Sequence, residues 1–313
     1  MKGMSIKTLT ISVCTFRRPN LLRQAIRAVH RLSIPKELEV NFLIVDNDAS
    51  QEIEQLIREE TSDFQIPTRY VAEVNQGLVN ARNRVLAEAR KMSVDYLAMF
   101  DDDDYPETGW LINLWNCLNK YSATVVSGMM IYSWPDSLVS IDDDIKRVYD
   151  EKSSTIKTGD IRERCGSGNT LIDFKFVEKH NLSFHEAFNY TGGEDSHFFE
   201  SVTLYGGKIV KCNEAIVYSE IVEERANEDF IWMRRYNVGY VTFTKNRLLY
   251  GRLKAIQKAI SMLFRNGLNN LIKSLSDDKR TQIKRKRKAI EMKGLIDSLL
   301  GKTYESYKKP DGY

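Results

Sequence analysis

Tyr96-Leu97-Ala98-Met99-Phe100 followed by Asp101-Asp102-Asp103-Asp104 is the stretch on which the fold turns. A short apolar run read as a buried strand pins four consecutive carboxylates at its end. In open α/β sheets, ligands sit in the crevice beyond the carboxyl ends of the strands. Four adjacent acids repel one another unless a cation offsets them. Hard divalent cations take oxygen ligands, commonly one or two carboxylates together with substrate phosphates. The stretch therefore points to a metal–phosphate site. An acidic surface turn and a structural Ca²⁺ site are the alternatives it leaves open.

Outward from this point, strand and helix patterns alternate through the first 130 residues. Leu9 to Cys14, Val40 to Val45, Thr68 to Val74 and Thr124 to Ile131 read as strands. Pro19 opens a helix with an apolar stripe at Leu22, Ile26 and Val29. Further helices are expected from Gln51 to Glu60, after Gly77 through Arg90, and from Trp110 to Leu118. Such alternation predicts a mostly parallel sheet covered by helices. Residues 133–162 are polar and read as a surface excursion over the site. Cys165-Gly166-Ser167-Gly168-Asn169 leads into a strand at Thr170 to Ile172. Gly192-Gly193-Glu194-Asp195 opens a helix that Gly206-Gly207 ends, and Lys208 to Cys212 returns as a strand.

With 313 residues, the chain suits one large α/β domain plus an appendage. The net charge of +3 hides an asymmetry. Residues 225–313 carry 21 Lys and Arg against 8 Asp and Glu, or +13, and the remainder carries 25 against 35, or −10. The expected division is a catalytic body over residues 1–225 and a basic helical extension over 226–313. Four scattered cysteines without a Cys-x-x-Cys pair suit reduced thiols and a cytoplasmic setting. No run approaches the length of a transmembrane helix, and the N-terminal apolar run reads as a strand and not as a signal peptide.

Several segments, in order, resemble the family 2 inverting glycosyltransferases of the GT-A type. They are Thr15-Phe16-Arg17-Arg18-Pro19, Val45-Asp46-Asn47-Asp48, Asn75-x-Gly77, Ala81-Arg82-Asn83, the acidic tetrad with Trp110-Leu111, Gly168-Asn169 and Gly193-Glu194-Asp195. The set spans about residues 8–245 and is most similar to glucosyltransferases of succinoglycan-type exopolysaccharide assembly. The resemblance implies a Rossmann-like GT-A sheet. It also implies a UDP-sugar donor, UDP-glucose in particular, with Mg²⁺ or Mn²⁺ as cofactor and a glycan or lipid-linked glycan as acceptor.

By the same resemblance, Asp103 and Asp101 are the metal-contacting ends of an Asp-x-Asp motif, with Asp101 also near the ribose. Asp102 joins the nucleotide-sugar site, and four adjacent acids leave the register open. Asp104 reads equally as an acid ahead of the next helix. Asp46 is expected to accept from the uracil imide, or else to form a turn. Thr15, Phe16 and Arg17 would frame base and ribose, with Phe16 as a core residue the alternative. Asn75, Gly77 and Arg82 complete the donor site, Arg82 reaching a base carbonyl or a phosphate, while Arg84 faces solvent.

Inverting transfer needs one carboxylate to deprotonate the acceptor hydroxyl. Asp195 is the candidate base, and Glu194 either binds acceptor or tunes its neighbour through like-charge repulsion. Two acids at a helix start are the plain alternative. His197 reads as a surface or hydrogen-bonding histidine more readily than as a metal ligand. In the tail, Leu253, Ile256, Ile260 and Leu263 are expected on one face among Arg252, Lys254, Lys258 and Arg265. Such a helix suits an anionic membrane surface and a peripheral place on the inner face of the cytoplasmic membrane, or packing on the acidic body. Lys284 to Lys288 lacks interleaved aromatics, so nucleic acid is not the expected partner. A sugar nucleotidyltransferase and a non-catalytic glycan- or membrane-binding scaffold are the rival functions.

Overall fold

The computed structural model describes residues 6–134, 156–221, 227–272 and 278–304. Most of the expected excursion, residues 135–155, lies outside them. Two compact units emerge. One comprises residues 6–133, 156–186 and 194–220, and the other residues 187–193 with the helical C-terminal region.

The first unit is a three-layer α/β arrangement. Its strands are β1 (Lys7–Thr15), β2 (Leu38–Asp46), β3 (Thr68–Ala72), β4 (Tyr96–Phe100), β5 (Asp104–Pro106), β6 (Val125–Ser133), β7 (Ile161–Arg162), β8 (Asn169–Asp173) and β9 (Ile209–Glu220). They form one sheet in the order β3-β2-β1-β4-β8-β6-β9-β5, with β7 on β9. The first four are parallel to one another, β3 to β2, β2 to β1 and β1 to β4. The expected parallel sheet is thus one half of the whole. The other half is mixed, because β8 pairs antiparallel with both β4 and β6, and β5 runs antiparallel to β9.

Burial on both faces explains the continuous apolar runs, such as Phe42-Leu43-Ile44-Val45, all fully buried. The helices are α1 (Pro19–His30), α2 (Gln51–Glu60), α3 (Leu78–Lys91), α4 (Trp110–Tyr121), α5 (Phe174–Lys179) and α6 (Glu194–Leu204). In α1, Leu22, Ala25, Ile26 and Val29 are buried at helical spacing against the core. Trp110 starts α4 and meets Phe100 edge to face at 5.7 Å, so the helix after the acidic turn is anchored on the strand before it.

Register sets the edge that matters. Thr15 lies opposite Asp46 across β1 and β2, and Met99 lies opposite Ser12 across β1 and β4. Three strands therefore end at one edge, where the acidic turn begins.

The second unit holds three long helices, α7 (Glu228–Tyr250), α8 (Arg252–Ile272) and α9 (Lys279–Leu299). Asn227 and Asp278 cap α7 and α9 by accepting from Phe230 N (2.8 Å) and Thr281 N (2.9 Å). Gly239 and Gly294 let the backbones of α7 and α9 meet, since a Cβ on either would strike the carbonyl of Glu291 or Tyr236. Phe243, Ala255, Ala259 and Leu295 form the small core, with Ile256, Met262 and Leu263 packed on it. This corrects the expected tail face: Ile256 and Leu263 turn inward, while Leu253 and Ile260 are exposed. No described helix is long and apolar enough to cross a membrane.

Candidate active site

The acidic turn is divided by its own backbone. Asp104 N donates to Asp101 O at 3.1 Å, and Asp104 then enters β5. Asp104 is thus a buried strand residue and not an acid leading a helix. Asp101, Asp103 and Asp104 each offer one carboxylate oxygen, all within 4.8 Å of one another. Asp102 turns away. It accepts from Thr15 Oγ1 at 2.7 Å and from Arg18 Nη1 at 3.2 Å. Arg18 also lies 3.4 Å from Asp103 Oδ2.

Arg82, buried on α3, is the second cation. Its Nη1 pairs with Glu194, and its Nη2 lies 3.3 Å from Asp101 Oδ1. Burial nevertheless pushes Asp102 up to about 7, raises Asp101, and raises Asp104 well above the carboxylate range. Two arginines do not offset the charge assembled here. The three clustered carboxylate oxygens fit a hard divalent cation, which takes such oxygens as ligands. The wall beside them is close. A Cβ at Gly168 would sit 2.7 Å from Asp101 Oδ2.

A second group of predicted residues lines the ends of β1, β2 and β3. Asn47 N donates to Thr15 O at 2.9 Å and joins this group to the acidic turn. Asp46 is fully buried. Its carboxylate accepts from Asp48 N (2.9 Å), Ser50 N (2.7 Å) and Tyr70 Oη (3.1 Å). Those bonds build the turn that the Asp-Asn-Asp spacing suggested. Phe16 is half-buried and lies under Arg17 at 4.9 Å, and Arg17 Nε reaches Asp48 at 2.9 Å. Asn75 is exposed and its N donates to Glu73 Oε1 at 2.9 Å. Gly77 N donates to Asn47 Oδ1 at 2.7 Å.

Glu194 and Asp195 open α6. Burial pushes Glu194 up to about 7 although Arg82 opposes it. Asp195 is half-buried, and its Oδ1 accepts from Ser196 N at 2.5 Å. Gly193 precedes them with φ of 91°, a conformation that suits glycine. His197 stacks edge to face with His185 at 5.5 Å, and Arg84 Nε lies 3.1 Å from Glu88. Cys14 beside Arg82 is pushed up to about 12 by burial, so it stays a thiol and no nucleophile.

Three residues with site roles escaped the sequence reading. Arg18 stood inside a quoted motif without a role. Asn47 holds the turn by donating to Glu73 O (3.0 Å) and Asn75 O (2.8 Å). Asn169 accepts from Trp110 Nε1 (2.8 Å) and donates to Met129 O (2.9 Å) and Ala215 O (3.0 Å).

The family model for glycosyl transferase family 2 matches residues 10–179, more than half of the chain. The chain belongs to glycosyl transferase family 2. It is 26% identical over 255 residues to the succinoglycan biosynthesis protein ExoM of Rhizobium meliloti (strain 1021), covering 80% of this chain and 78% of that one. The fold is similar to that of the mannosyltransferase PcManGT from Pyrobaculum calidifontis, solved with GDP-Man and Mn²⁺. Their TM-score is 0.62 at 14% identity, over 94% of this chain and 88% of that one. Staphylococcus aureus TarS 1–349, solved with UDP, aligns with a TM-score of 0.52 at 14% identity, over 97% and 95% of the two chains. The fold is therefore of the GT-A type and the protein is a transferase, which sets aside the nucleotidyltransferase and scaffold readings.

Proposed function

We propose that this glycosyltransferase moves a sugar, glucose in particular, from a UDP-sugar to a glycan or lipid-linked oligosaccharide, with inversion, in surface polysaccharide synthesis. The observation that carries the reading is the clustering of Asp101, Asp103 and Asp104 beyond the parallel half of the sheet. Likeness to ExoM supports the exopolysaccharide setting, and TarS with UDP supports the uridine donor.

Asp101 and Asp103, with Asp104, would hold Mg²⁺ or Mn²⁺. When bound, such an ion offsets the charge that develops on the departing diphosphate. Thr15, Phe16, Arg17, Asp46, Asn75 and Gly77 line the base and ribose end, and Asp102 with Arg18 and Thr15 fixes the shape of the acidic turn. Glu194 is committed to Arg82 and positions it. That leaves Asp195 as the base: its carboxylate takes the proton of the acceptor hydroxyl as that oxygen bonds to the anomeric carbon. The bond to the diphosphate breaks on the opposite side, and UDP leaves with the electron pair. We assign catalysis to residues 1–225 and a peripheral, inner-face membrane role to the basic remainder.

Asp195→Asn tests the base. Sugar transfer should fall by about 10²–10⁴-fold while donor binding persists. Full transfer by this variant would remove Asp195 from the role.

A further inference from the structure

Helix α8 carries two apolar faces, and only one is used inside its unit. Ala255 and Ala259 are buried against Phe243 and Leu295. On the other side, Leu253, Ile260, Phe264 and Leu268 recur at i, i+7, i+11 and i+15, which places them on one stripe. Their exposures are 79%, 59%, 74% and 48%. Isolated exposed apolar residues are ordinary, but a contiguous stripe along a helix marks an interaction surface.

Charge decides the partner. From Arg252 to Ile272 the helix holds Arg252, Lys254, Lys258 and Arg265 and no acid. Lys254 and Lys258 flank the stripe, their ammonium groups 5.3 and 3.6 Å from the ring centroid of Tyr250. A second copy of this chain docked by the same face would set these cations against their equals. An anionic bilayer offers acyl chains to the stripe and phosphates to the flanks, and a basic amphipathic helix lies in that interface without spanning it.

We infer that the outer face of α8 is a membrane-docking surface, seated with Phe264 and its apolar neighbours among the acyl chains of an anionic lipid leaflet. This sharpens the membrane role assigned above, and it stands or falls independently of the donor and the general base.

The test is co-sedimentation of the full chain with vesicles of phosphatidylcholine alone or mixed with phosphatidylglycerol. The wild type should bind the anionic vesicles at least tenfold more tightly than the neutral ones. Phe264→Glu with Leu268→Glu, at exposed positions, should lower that binding at least tenfold while UDP-sugar binding in solution is unchanged. Lys254→Glu with Lys258→Glu should weaken it and remove most of its salt dependence. Phe264→Trp should show a blue-shifted emission on anionic vesicles only. No binding of the wild type to anionic vesicles would overturn the inference, as would equal binding by the Phe264→Glu, Leu268→Glu variant. Dimers in solution that this variant dissolves, without vesicle binding by the wild type, would reassign the face to a second copy.

Discussion

Arg82 and Glu194, 112 residues apart in sequence, form a buried ion pair that ties helix α3 to the first turn of α6. Their side chains are 6% and 4% exposed. The same guanidinium reaches Asp101, so one arginine links the acidic turn to the residue preceding the proposed base.

Breaking such a pair from one side strands a buried charge. Arg82→Met or Glu194→Gln should each destabilise the first unit by about 3–5 kcal/mol. The double variant should lose less than the two together. Urea denaturation of the three variants measures both quantities.

Asn169→Ala should cost at least about 2 kcal/mol, because Trp110 Nε1 and the carbonyls of Met129 and Ala215 lose their partner inside the protein. Gly128→Ala should act at the same place, since its Cβ would strike Asn169 Oδ1 and Ala215 O. Thermal denaturation of each variant checks the direction.

The cation effect should grow with pH. Burial raises Asp101 and Asp104 above the ordinary 3.8, so protons compete with a metal well above that value. Stabilisation by Mn²⁺ should be small at pH 5 and larger at pH 7.5, and Asp103→Ala should abolish most of it at both. Melting scans with Mn²⁺ and with EDTA provide the comparison.

Glu60 behaves in the opposite sense. Its hydrogen bond from Arg27, 2.8 Å long, lowers its carboxyl below 4.5. A carboxyl depressed on folding stabilises the protein above its unfolded value, and that stability is lost as pH falls through the folded value. Glu60→Gln should therefore flatten the stability profile below about pH 4.5 and lower stability at pH 7. Denaturation between pH 3 and 7 checks this.

The parallel half of the sheet was legible because burial on both faces leaves unbroken apolar runs, such as Phe42 to Val45. The segment Asp104–Pro106 was not. Three residues beginning with an acid carry no strand period, and they pair only because β9 lies beside them. Periodicity was also blind to the partition of the acidic turn. Which way Asp102 points follows from Thr15 Oγ1 and Arg18, both more than 80 residues away. Asn47 and Asn169 looked like loop residues, yet their amides replace backbone pairing that the chain lacks at those points. On α8 the apolar period was visible, but a helix apolar on two sides does not reveal which side faces the core.

We propose that the Asp101–Asp103–Asp104 cluster holds a divalent cation through which the chain binds a UDP-sugar. The most direct measurement is calorimetric binding of a panel of UDP- and GDP-sugars with Mn²⁺ and then with EDTA, for the wild type and Asp103→Ala. The expected result is binding of a UDP-sugar with Mn²⁺, with slow release of UDP, and loss of binding both in EDTA and in the variant. Equal affinity with and without metal, or UDP-sugar binding unchanged in Asp103→Ala, would contradict it.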